Sequence, residues 1–202
     1  MKRLLPLLSL AGLICSSVSA TAHPAPHAHF HSLDMAGAAQ AGFLHPLTGL
    51  DHLLVMVAVG LWAFQIGGRA LWLLPCSFVG SMMFGGALGL CGVHQPLVEH
   101  GILASIVLLG TAFGMAWRPP SLIAVLCVGA AGLCHGYAHG SEMPSGTLPL
   151  MFFVGMVIAT SLLHACGLSG GLLLWSQKFT MLMRTAGLFL IAFAVYDFYF
   201  PI

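Results

Sequence analysis

A chain of 202 residues that is 59% hydrophobic and only 5% charged is not an ordinary soluble domain, since those carry about 25% charged residues. A mean hydropathy of +1.00 supplies more apolar residues than one core can hide, which excludes disorder, collagen and coiled coil. A net charge of +1 gives no basic patch for nucleic acid. What remains is a polytopic membrane protein, in which 11 histidines outnumber either the 6 basic or the 5 acidic residues.

In chain order, Lys2 and Arg3 precede an apolar run from Leu4 to Ile14, then small residues. Basic start, short greasy centre and small-residue exit read as a secretory signal peptide, 1–22, too short to span a bilayer. Cleavage falls after Ala20 or after Ala22. Cys15 is a poor lipidation site, because Ile14 stands where a small residue is wanted. A histidine-rich extracytoplasmic arm, 23–40, follows, opening on His23-Pro-Ala-Pro-His27-Ala-His29-Phe-His31. Its chemistry is metal capture. A Thr-Ala-His terminus offers an amine, amides and an imidazole to square-planar Ni(II) or Cu(II). With His23 first, amine and imidazole chelate directly.

The transmembrane domain, 41–202, contains six apolar stretches: 41–64, 70–93, 97–117, 121–140, 148–175 and 180–199. Each is long enough for a spanning helix of about 20 residues, and lipid leaves the backbone no hydrogen-bond partner outside its own helix. The expected fold is all-α, a bundle of about six spans. Arg69, Arg118, Lys178 and Arg184 fall on one side; Asp34, Glu99, Glu142 and Asp197 fall near the other. The positive-inside rule then puts both termini outside, and the acidic outer face attracts cations. Glycine pairs four apart, Gly85/Gly89, Gly110/Gly114, Gly136/Gly140 and Gly167/Gly171, predict close helix approaches.

Ionisable residues inside a membrane are costly and mark function by default. The first cluster is His45-Pro46-Leu-Thr-Gly49-Leu-Asp51-His52. On a straight helix His45 and His52 share a face. Pro46 either occupies the first helical turn or, with Gly49, marks a distorted start that aims three groups into one cavity. Asp51 either ligates a metal or orients an imidazole. The second cluster, Cys134-His135-Gly-Tyr-Ala-His139-Gly-Ser-Glu142-Met143, sets His135, His139 and Glu142 on one helix face at i, i+4 and i+7. Two imidazoles and a carboxylate so spaced form half a site for a divalent first-row metal. His164 is a third candidate, with packing as its alternative. Glu99 and His100 open the third span near the same side. Met56 and Met143 read as packing, and the mature cysteines as small apolar residues without a disulfide framework.

His45 to Pro75, HPLTGLDHLLVMVAVGLWAFQIGGRALWLLP, and His135 to Gly146, HGYAHGSEMPSG, resemble the HupE/UreJ family of nickel permeases. Ala159 to Gly167, ATSLLHACG, and the total length fit as well. The family's H-x5-D-H maps to His45, Asp51 and His52. Its F-H-G-x-[AV]-H-G-x-E maps to His135, His139 and Glu142, with Cys134 where Phe is usual. The resemblance implies an inner-membrane permease, not an enzyme and without a prosthetic group, taking up Ni2+ or Co2+ for hydrogenase or urease maturation. It also implies cytoplasmic nickel chaperones as partners. No phosphate-binding G-x-x-x-x-G-K-[ST] occurs, which excludes an intrinsic ATPase. The main alternative is an intramembrane zinc hydrolase built from the same clusters. A haem carrier and a serine protease centred on Ser169 are weaker readings.

Overall fold

The computed structural model describes residues 34–92, 95–173 and 179–200. The expected signal peptide, the arm histidines including His23, the Ser176-Gln177 break and Lys178 lie outside the described residues. Within them, the chain forms seven helices and no strand: α1 (Met35–Thr48), α2 (Leu50–Ile66), α3 (Ala70–Leu90), α4 (Val98–Gly114), α5 (Ser121–Ser141), α6 (Pro149–Leu173) and α7 (Phe179–Tyr199).

The first span departs from the expected straight helix over 41–64. It starts earlier, where the Asp34 carboxylate accepts a hydrogen bond from the Gly37 N–H at 2.7 Å and caps α1. It then breaks, so that α1 and α2 meet at 83°. Pro46 lies inside α1, not in a first turn. It removes one N–H from the ladder, and Gly49, extended at φ −91° and ψ 121°, ends it. The chain thus adopts neither a first-turn Pro46 nor a distorted start; Pro46 and Gly49 divide a span that has already begun.

Helices α3, α5, α6 and α7 are each long and apolar enough to cross a membrane, and the bent α1–α2 pair passes together as a fifth span. Helix α4 is apolar but shorter. The protein is thus an all-α, multi-pass bundle with one broken and one short element in place of six uniform spans. Its outward faces carry large apolar side chains such as Phe84, Leu126, Leu162 and Leu188, as a lipid-facing surface requires.

Helix α3 packs most closely on α5, α6 holds both α1 and α2, and α7 lies on α4. The α3–α5 contact is backbone against backbone. A Cβ at Gly136 would fall on the Met82 carbonyl, and one at Gly140 on the Gly86 carbonyl. Without side chains between them the helices gain dispersion contacts that lipid cannot replace. Gly114, by contrast, faces open space, so the Gly110/Gly114 pair is not a contact of that kind throughout. At the far end of α2 the Trp62 indole donates to the Trp117 carbonyl at 3.1 Å, and the two rings stack at 5.8 Å.

Candidate metal site

The break at Gly49 makes Asp51 a first-turn residue of α2. A carboxylate is stabilised there by the unpaired N–H groups and the positive end of the helix. His52 Nδ1 lies 2.8 Å from Asp51 Oδ1. An ionised carboxylate only accepts, so Nδ1–H donates to it and the lone pair resides on Nε2. That Nε2 is buried without a protein partner. Of the two roles open to Asp51, orienting His52 is the one this geometry serves. Gly49 makes room for the pair, since a Cβ there would stand 2.8 Å from both Asp51 Oδ1 and His52 Nδ1.

The last turns of α5 supply the other half. His135 and His139 are fully buried, at 0% exposure. The Ser105 hydroxyl on α4 donates to the Ile102 carbonyl at 2.6 Å, and its oxygen is 3.1 Å from His135 Nε2. With its one hydrogen committed to Ile102, Ser105 accepts from Nε2–H. The lone pair of His135 therefore sits on Nδ1, which is buried and unpartnered. Neither ring nitrogen of His139 has a protein partner. Buried polar atoms are nearly always paired, so these unpartnered nitrogens are lone pairs and N–H groups open to a ligand. Ser105 carried no sequence signal beyond being a hydroxyl in an apolar helix.

The two clusters meet. Ring centroids of His52 lie 4.5 Å from His139 and 5.0 Å from His135. His45 is 4.8 Å from His139 and 6.3 Å from His52, with Phe152 against its other edge at 5.7 Å. Four imidazoles from α1, α2 and α5 thus share one volume. Several rings stand edge to face, and among the described residues no three His, Cys, Asp or Glu side chains already stand in coordinating positions. For these four imidazoles to hold a cation together, their rings would have to turn their nitrogens toward one point.

Glu142 is the C-cap of α5 at φ −96° and ψ 2°, and its N–H still donates to the Ala138 carbonyl at 2.9 Å. It borders a cavity of about 410 Å3 whose lining includes Asp51, His52, Glu99, His100 and Asp197. Four carboxylates gather at this mouth beside the imidazoles. Partial burial is the main influence on the Glu142 carboxyl and raises it; His52 opposes, and Asp51 and Glu99 raise it further. Of the other candidates, His164 stands apart, with Phe78 rather than the four imidazoles as its ring neighbour. Cys134 Sγ packs on Gly101 of α4, and Met143 packs against the core. Cys76, Cys91, Cys127, Cys134 and Cys166 are free thiols.

Two comparisons bear on identity. Residues 11–196 match the family model described as HupE / UreJ protein. The chain belongs to the HupE/UreJ family. It is also 37% identical over 174 residues to a protein named Protein HupE from Rhizobium leguminosarum bv. viciae, covering 86% of this chain and 91% of that relative. No solved structure matches it. Membership in HupE/UreJ carries no support for the zinc-hydrolase alternative.

Proposed function

We propose that this HupE/UreJ protein is a secondary permease for Ni2+, with Co2+ as the closest competitor, in a bacterial inner membrane. The observation that carries the reading is the convergence of His45, His52, His135 and His139 beneath a mouth of carboxylates. Neutral imidazole nitrogens suit nickel and other borderline first-row cations. Carboxylates offset the charge as water is removed. Asp51 and Ser105 hold two of the rings in the tautomers that present lone pairs.

In this mechanism the signal peptide delivers the amino terminus to the periplasm, and the arm led by His23 collects the ion. The acidic mouth of Asp51, Glu99, Glu142 and Asp197 concentrates it. His45, His52, His135 and His139 then replace its hydration shell, with Asp51 and Glu142 balancing charge. Release on the cytoplasmic side, marked by Arg69 and Arg118, feeds chaperones of hydrogenase or urease assembly. No ATP is needed, because two charges entering an inside-negative cell gain about 4.6 kcal/mol per 100 mV.

The test is uptake of radioactive nickel into proteoliposomes containing wild type, His52→Ala or His139→Ala. Both variants lose most of their uptake, and cobalt competes with nickel in the wild type. Undiminished uptake in both variants overturns the assignment. Loss of the arm, by deleting 23–31, weakens uptake at low nickel but not at saturating nickel.

A further inference from the structure

His164 is 1% exposed, and neither of its ring nitrogens has a protein partner. Buried polar groups are paired in the great majority of cases, so an imidazole with both nitrogens unpartnered stands out. One turn earlier on the same face of α6 is Thr160, at 0% exposure. Threonine and serine hydroxyls in helices commonly bond back to a carbonyl three or four residues earlier, as Thr111 and Ser81 do here. The Thr160 hydroxyl instead lies within reach of two thioethers, Met56 Sδ on α2 at 3.4 Å and Met82 Sδ on α3 at 3.7 Å, and its one hydrogen serves one of them at a time. Both methionines are fully buried.

Two contacts fix the register of α3 against α6. Met82 meets Thr160, and Phe78, one turn back, meets His164 at a ring distance of 5.2 Å. Four soft or neutral donors from three helices therefore occupy adjacent rungs. The same Phe78 ring lies 5.8 Å from His135, so one aromatic side chain separates this group from the four-histidine cluster.

We propose that His164, Thr160, Met56 and Met82 form a second, inner cation station for the metal held by the histidine cluster, resting on the permease reading. Its donor set is imidazole, hydroxyl and thioether, and none of the four side chains is a carboxylate. A dication is held less firmly there than beside Asp51 and Glu142. That order suits passage, in which each site must bind well enough to fill and weakly enough to empty. Thioethers also favour softer, more readily dehydrated metals over Mg2+ and Ca2+, so the inner station filters as well as relays.

The experiment uses the full chain in proteoliposomes and nanodiscs, with Ni2+ alone as probe. His164→Leu and the double variant Met56→Leu/Met82→Leu are compared with wild type, the leucines conserving core volume. Nickel flux falls about tenfold or more in each, whereas nickel affinity at the histidine cluster, read by calorimetry, stays within about twofold. Thr160→Ser retains flux and Thr160→Val loses it. Wild-type flux in the double methionine variant overturns the thioether station. Loss of calorimetric binding in His164→Leu overturns its separateness from the outer cluster. If wild type itself neither binds nor moves nickel, the permease reading falls instead, so the two failures are distinguishable.

Discussion

At the scale of single residues, the site depends on which nitrogen of each imidazole carries a proton. Asp51 settles this for His52 and Ser105 settles it for His135. Removing such an orienting partner typically costs 10–100-fold in metal affinity. Ser105→Ala is therefore expected to weaken nickel binding by about 10–100-fold, while Ser105→Thr, which keeps the hydroxyl, retains it. Calorimetric titration checks both, and imidazole nitrogen NMR gives the decisive readout, because His135 should lose its fixed Nε2–H form in the alanine variant alone. Gly49→Ala pushes a methyl group between Asp51 and His52. It is expected to lower nickel affinity by about tenfold while circular dichroism shows the helical content unchanged. The sequence displayed most of the residues that converge here: His45, Asp51, His52, His135 and His139 all stood out as ionisable groups in apolar surroundings. Ser105, Thr160 and Met82 did not, because a lone hydroxyl or thioether in a greasy helix looks the same whether it packs or serves.

At the scale of helices, the apolar stretches were legible because lipid demands long runs and punishes polar interruptions. The bend was only half legible. Pro46 and Gly49 signalled distortion, but local sequence does not say whether such residues begin a helix or divide it. Hydropathy is also blind to what α4 lacks in length. The glycine pairs announced close packing without saying against what, and only α3 lying on α5 makes Gly136 indispensable. Gly136→Ala is expected to destabilise the protein by about 1–3 kcal/mol through overpacking, seen as a lower unfolding midpoint in detergent. Gly114→Ala, in open space, is the control and should change stability by no more than about 0.5 kcal/mol.

At the scale of the whole molecule, charge is sorted by end. Asp51, Glu99, Glu142 and Asp197 border one cavity. Arg118 sits with Gln65 beside a small pocket near the far end of α2, where Trp62 and Trp117 stack. Placing Asp51 and Glu142 on opposite leaflets would have dissolved any common site, and they line the same cavity. Sorting of this kind suits a cation drawn inward by voltage. An imposed potential of 100 mV, negative inside, is expected to support accumulation of up to about three orders of magnitude in proteoliposomes. Collapsing it with a potassium ionophore should abolish the gradient, and added ATP should make no difference.

The elbow at Gly49 has one more consequence. In an unbroken helix, seven residues separate two positions by about 10.5 Å along the axis, yet the His45 and His52 rings are 6.3 Å apart around an 83° corner. Straightening that corner would draw the His45 ring away from the other three imidazoles. Because α6 holds α1 as well as α2, with Gly42 against the Phe152 carbonyl and Gly155 against the Ala39 carbonyl, the corner opens only if α1 also leaves its seat on α6.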